Sequence, residues 1–328
     1  MINNIKIGLI GYGYWGKNLA RNLYELETLF AICDSSSKNL DESKKLYPNI
    51  NYFSNIDDLL QSDIDALVIA TPAISHESLV RKGLNANKHV FVEKPLCLDK
   101  IAANNLRELA DKKDLKLMVG HLLLYHPAFI SLKNLIGSGV IGKIRYIYSN
   151  RLALGKHRKE EDSLWSFAPH DISMILSLIG REPVAVEASG GYYLNKDIAD
   201  TTITFMTFEN GVKAHVFVSW LHPFKDQRLI VIGDKAMATF VDVEQKEKKL
   251  LLYNHDIDWD GDIPIIEKAE GVTIKYDMNK EPLKEECKSF IRWIKDHVKP
   301  PSDAAEGLRV LKVLDMADKE LKRKKLNE

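Results

Sequence analysis

Three stretches of this 328-residue chain combine residue types and spacings that can do chemistry. The first, GLIGYGYWGKNL, sets Gly11, Gly13 and Gly16 in the spacing GxGxxG. It follows a short apolar run and opens a helical pattern, the context that gives such glycines a purpose. Gly11 permits a tight turn, Gly13 lets a pyrophosphate approach the backbone, and Gly16 lets helix and strand pack closely. The N–H groups at the helix start then face the phosphates, with Tyr12, Tyr14 and Trp15 in the same loop. Asp34 lies 18 residues beyond Gly16, at the end of a second strand pattern. A carboxylate there accepts the 2′-hydroxyl of an adenosine ribose and repels a 2′-phosphate, which favours NAD over NADP. Asp34 also opens DSSSKNL and reads as a helix N-cap, and Lys38 close by keeps NADP as the alternative.

The second stretch, VFVEKP, brings Lys94 to a strand end directly before Pro95. A lysine there can polarise a hydroxyl or hold a neighbouring base in its working protonation state. The third, SFAPHDISMIL, reads as the start of a helix with Pro169 in its first turn and Gly180 as its stop. It carries His170 and Asp171 side by side, as ordinary capping or with His170 as a general base.

These residues need elements to place them. Strand patterns recur at Ile5 to Gly11, Leu29 to Asp34, Asp65 to Thr71, His89 to Lys94 and Lys116 to Gly120, with helical stretches between. Nearly continuous apolar strands separated by helices predict a parallel sheet covered on both faces, and right-handed crossovers make it doubly wound. Ligands bind at the carboxyl edge of such a sheet, where the glycine loop, Asp34, ATPAISH and Lys94 all fall. After residue 120 the rhythm changes to a helix from about Pro127 to Ser138, then the helix carrying His170, then short strand patterns with tight turns up to Asn254. FENGVK contains Asn-Gly, a hairpin signal. The reading is therefore α/β plus α+β: a Rossmann domain over 1–120, then an α+β domain over 121–328 on an open, mainly antiparallel sheet. The closing helices can pack back on the first domain, and the open sheet face invites a homodimer or homotetramer.

Composition excludes several classes. Lys plus Arg and Asp plus Glu are both 46, so no net positive charge draws the chain to nucleic acid. No apolar run is long enough to span a membrane, and MINNIKIGLIGYG enters a strand pattern without a signal-peptide layout. Cys33, Cys97 and Cys287 are scattered, with no metal-binding spacing, which fits reduced thiols in the cytoplasm.

The set GYGYWG, ATP…H, VEKP and a later His at a helix start resembles the Gfo/Idh/MocA family of oxidoreductases, over essentially the whole chain. The resemblance implies NAD(P)-dependent oxidation or reduction of sugars and related polyols. It implies that Thr71, Pro72, His76 and Glu93 join the glycine loop at the cofactor, and that Lys94 and His170 occupy the family's Lys and His positions. Many members carry Asp four residues before that His, where this chain has Ser166. Asp171 cannot replace it, because adjacent helix positions point about 100° apart. On this reading His170 takes a hydroxyl proton as hydride leaves the same carbon, and Lys94 donates a hydrogen bond to the reacting oxygen. A place in the first helical turn would keep His170 neutral. RLALGKHRKEEDSLW supplies Arg151, Lys156, His157, Arg158 and Lys159, cations suited to a diphosphate or carboxylate, and leads through Trp165 to Ser166 and Asp171. WSFAPHDIS and SWLHPFK resemble the nucleotide-sugar branch, which oxidises C3 of UDP-N-acetylglucosamine or its uronic acid. That product implies a PLP aminotransferase acting next. The alternatives are a free-sugar or inositol dehydrogenase and a non-catalytic dinucleotide-binding regulator.

Overall fold

A computed structural model describes residues 5–155 and 161–325. In chain order the elements begin with β1 (Ile7–Ile10), α1 (Tyr14–Glu25), β2 (Leu29–Cys33), α2 (Ser37–Leu46), β3 (Asn51–Phe53) and α3 (Ile56–Gln61). They continue with β4 (Ala66–Ile69), α4 (His76–Asn85), β5 (His89–Glu93), α5 (Lys100–Lys112), β6 (Leu117–Gly120), α6 (Pro127–Gly137), β7 (Ile144–Leu152) and α7 (Ser163–Ile179). Next come β8 (Ala185–Gly191), β9 (Thr201–Thr207), β10 (Lys213–Ser219), β11 (Asp226–Gly233), β12 (Met237–Val241) and β13 (Leu250–Tyr253). The chain closes with β14 (Asp256–Asp260), β15 (Ile263–Glu267), β16 (Val272–Thr273), α8 (Pro282–Asp296) and α9 (Ala304–Lys325). Among the described residues no helix is long and apolar enough to cross a membrane.

The chain divides into two compact units. Unit 1 is Met1–Leu122 with Glu281–Leu311, and unit 2 is Leu123–Lys280 with Lys312–Glu328. Unit 1 holds a six-stranded sheet in the order β3-β2-β1-β4-β5-β6, parallel throughout. Its central strands β1 and β4 are buried at every position, as a sheet covered on both faces requires. Strand β3 escaped the sequence reading because only three residues form it, at the sheet edge. The segment 281–311 joins this unit: Val119 N–H donates to Ser302 O at 2.8 Å, and the Phe91 and Phe290 rings lie 5.7 Å apart.

Unit 2 is built on an eight-stranded sheet, β16-β13-β12-β11-β7-β10-β9-β8. All neighbours are antiparallel except β7 and β10. The Asn210-Gly211 signal marks the β9–β10 hairpin, where Gly211 takes φ +80°. Helix α7 packs on one face through Ile172, Ile175 and Leu176, all fully buried. The other face carries Tyr148, His215 and Phe205, with Tyr148 and His215 stacked at 5.2 Å.

Helix α7 corrects one expectation. It starts at Ser163, capped by Asp162, whose carboxylate accepts the Trp165 N–H at 3.0 Å. Pro169 is therefore an interior proline, and His170 is the eighth helical residue. The helix-end field fades within the first turn, so it does not act on His170 as expected. The Asp-Ser pair at 162–163 was the missed signal, hidden at the end of a charged run.

Candidate functional site

The site in unit 1 is made where β1, β2, β4 and β5 end. Gly11 holds φ +92°, and a Cβ there would lie 2.7 Å from Ala70 O. A Cβ at Gly16 would lie 2.0 Å from Gly11 O, so helix α1 can start where it does only with glycine at this position. Gly13 has nothing within 4 Å of a Cβ position, and no side chain caps α1. The loop is thus a cradle of backbone open at the helix start, the form that accepts a pyrophosphate. Tyr14 on this loop is 85% exposed and Ile74 after β4 is 81% exposed, apolar surface at the same edge for a ligand to cover.

Asp34 follows β2 and fixes the loop: Oδ2 accepts the Tyr12 N–H at 2.6 Å and Asn39 Nδ2 at 3.1 Å, and Oδ1 accepts the Ser36 N–H at 2.8 Å. A carboxylate offers about four acceptor positions. Three are filled here, and one suits a ribose hydroxyl. The cap of α2 is Ser36 rather than Asp34. Lys38 is exposed on α2. The Tyr12 ring is buried edge-on against Tyr47, 6.5 Å away, and burial raises its pKa. These groups fit NAD.

The remaining predicted cofactor residues divide by what they touch. Thr71 Oγ1 pairs with Ser75 Oγ at 2.7 Å, and Pro72 opens the turn that leads into α4. His76 is buried, with Nδ1 2.7 Å from Pro95 O and Nε2 2.9 Å from Thr71 O. The ring N–H donates to one of these carbonyls and ties His76 to the loops that follow β4 and β5. Glu93 also faces inward, accepting Trp15 Nε1 at 2.5 Å and the Lys94 N–H at 3.3 Å. Burial pushes its carboxyl up to about 7, against the Trp15 bond and the Lys94 charge. Lys94 is half-buried, followed by a cis peptide to Pro95. His121, after β6, is buried; burial and then the Lys94 charge push it down to about 3, so it is neutral. Sequence reasoning missed His121, which has no motif around it.

Unit 2 holds the other predicted residues. His170 is half-buried on α7, with its carbonyl accepting Ser173 Oγ. Ser166, one turn earlier, is buried, and Trp165 is half-buried at the helix start. Arg151 and Asp171 are corrections. Both are buried, and they bind each other: Arg151 Nε to Oδ2 at 2.6 Å and Nη2 to Oδ1 at 3.3 Å. Ser149 Oγ adds a third bond to the carboxylate at 2.5 Å. Arg151 and Asp171 therefore anchor α7 to β7, and a substrate phosphate has no access to this arginine. Lys156, His157, Arg158 and Lys159 lie outside the described residues.

The strand order, glycine cradle and carboxylate after β2 define a dinucleotide-binding oxidoreductase fold. Residues 5–121 match the family model for the NAD-binding Rossmann fold of the oxidoreductase family, and residues 129–239 match the Gfo/Idh/MocA C-terminal domain. The chain belongs to the Gfo/Idh/MocA family and is an NAD-binding oxidoreductase. It is 28% identical, over 94% of both chains, to UDP-N-acetylglucosamine 3-dehydrogenase of Acidithiobacillus ferrooxidans. It is 26% identical to myo-inositol 2-dehydrogenase of Thermotoga maritima, over 98% of this chain and 97% of the relative. A crystal structure of the Acidithiobacillus enzyme superposes with a TM-score of 0.86, covering 97% of this chain and 98% of that one. The scyllo-inositol dehydrogenase of Lactobacillus casei, solved with NAD(H) and scyllo-inositol, gives 0.80 at 23% identity, covering 98% of this chain and 97% of that one.

Proposed function

We propose that the protein is a sugar dehydrogenase whose substrate is a nucleotide-linked N-acetylated hexose or hexuronic acid, oxidised at C3. The observation that carries this reading is the similarity to the UDP-N-acetylglucosamine 3-dehydrogenase along 94% of both chains. Bound NAD supplies the hydride acceptor. Lys94 and His170 do the protein's part. His170 accepts the proton of the reacting hydroxyl through a ring nitrogen, and the Lys94 ammonium donates a hydrogen bond to the oxygen as it becomes a carbonyl. Neither role draws on the helix-end field or on Asp171. The product is a 3-keto sugar, the class of compound that a PLP aminotransferase consumes. The exposed aromatic face of the unit 2 sheet is our candidate for self-association. The full-length similarity to myo-inositol 2-dehydrogenase supports a second reading, with a free cyclitol as substrate.

One assay separates them: NADH formation with UDP-N-acetylglucosamine, its uronic acid, free N-acetylglucosamine, myo-inositol and scyllo-inositol. Turnover confined to the UDP-sugars is expected, and turnover with inositols alone would reverse the choice. His170→Ala and Lys94→Ala should each lower turnover by about 10²–10⁴-fold while NADH still binds. Near-normal rates in both would remove the proposed roles.

A further inference from the structure

Glu286 on α8 is fully buried, and among the described residues neither carboxyl oxygen has a hydrogen-bond partner. Its surroundings follow from two periodicities. Glu286 and Phe290 are four apart and share one face of α8. Phe91 and Glu93 are two apart and share one face of β5. The Phe91 and Phe290 rings meet, so these two faces are packed together and bring Glu286 to the Glu93 side. Glu93 is closed in by Gly120, where a Cβ would lie 2.8 Å from Oε2, and by the Trp15 indole.

Other titratable groups surround the pair. Directly after β5 comes the Lys94 ammonium. After β6 comes His121, already neutral. On α8 is Cys287, a thiol kept protonated first by burial, and just before the helix is Glu281, which is bonded to Arg21 and Asn22 of α1. Burial first, then the charge of Glu93, holds Glu286 well above the usual carboxylate range. One negative charge on the pair matches Lys94; a second would be buried against a like charge.

We infer that Glu286 is a positioning residue for the dinucleotide loop: it keeps a proton beside Glu93, and the singly charged pair holds Trp15 and the Lys94 backbone in place. Trp15 lies inside the glycine motif, so the pair's charge reaches the pyrophosphate cradle through one indole N–H. The inference rests on dinucleotide binding and is independent of the sugar.

The test is the Kd for NADH across pH 6 to pH 9, read by nicotinamide fluorescence, in the wild-type protein and in Glu286→Gln. Glutamine keeps the neutral shape and cannot ionise. The wild-type Kd should rise with pH, by up to about tenfold per pH unit above the pair's upper ionisation, as one linked proton requires. The Gln variant should give a flatter profile. Coincident profiles overturn the inference. Failure of the wild type to bind NADH at any pH would overturn the dinucleotide assignment along with it. If the variant does not fold, the wild type alone decides: infrared spectroscopy at about pH 8, above the Glu93 value of about 7, should still show the carbonyl stretch of a buried neutral carboxylic acid, and its absence overturns the inference.

Discussion

Replacing Asp171 by Ala should unfold unit 2 well before it affects substrate affinity. The side chains of Arg151 and Asp171 are 8% and 1% exposed, and the carboxylate receives three hydrogen bonds, two from the guanidinium and one from Ser149. Removing the carboxylate leaves a guanidinium that cannot shed its proton and cannot reach water. Breaking one partner of such a pair costs about 3–5 kcal/mol. At roughly 2–4 °C per kcal/mol for a unit of this size, the melting temperature should fall by about 6–20 °C. Replacing both partners at once, Arg151→Met with Asp171→Leu, removes the uncompensated charge and should recover most of the loss. The assay is calorimetry on the wild type, both single variants and the double variant, with KM measured alongside. A single Asp171→Ala variant melting within about 2 °C of wild type, with KM raised, would refute the anchor and restore Arg151 as a substrate contact.

Three further outcomes follow from the same geometry. Gly16→Ala places a methyl 2.0 Å from Gly11 O, so the loop must move; NADH fluorescence titration should show binding lost while far-UV circular dichroism keeps its helical signal. Asp34→Ser removes the carboxylate that repels a 2′-phosphate and should shift kcat/KM from NAD toward NADP, and an unchanged ratio would deny Asp34 the ribose role. The Glu93 contribution to stability should fall as pH rises from about 5 to 8. Glu93 titrates near 4.5 unfolded and at about 7 folded, so the folded state binds the extra proton and loses up to about 3 kcal/mol as that proton leaves. Buried neutral His121 and His126, pushed down to about 3 and about 4, act in the opposite sense up to about pH 6.5, so the Glu93 effect is read as the difference in pH slope of denaturant midpoints between the wild type and Glu93→Gln; identical slopes would refute it.

The residues that the sequence exposed and those that it hid differ in how their function is encoded. Gly11 and Gly16 are legible because a local turn and a local close approach dictate glycine within six residues. Lys94 is legible because a strand pattern and a proline fix where it points. Asp171 and Arg151 looked like active-site chemistry because their charges are visible in the sequence and their partnership is not; 20 residues separate them, and only the pairing of α7 with β7 brings them together. Glu286 lies further still from Glu93, on a helix that returns to unit 1 after most of unit 2 has been made. The sequence predicts a helix here without singling out Glu286, which the structure buries beside Leu283, Cys287 and Phe290. A buried charge without a local partner is costly enough that its presence implies a distant one. That reasoning names Glu286 as a residue to explain, and the ring contact between Phe91 and Phe290 then identifies what it faces. The stretch SFAPHDISMIL shows the same division. His170 stands out by type, while the start of its helix is set by Asp162, eight residues earlier, and its hold on the sheet by Arg151 on a preceding strand. What remains specific to His170 is its half-buried place beside that anchor, so its proposed chemistry has to be tested at the ring itself.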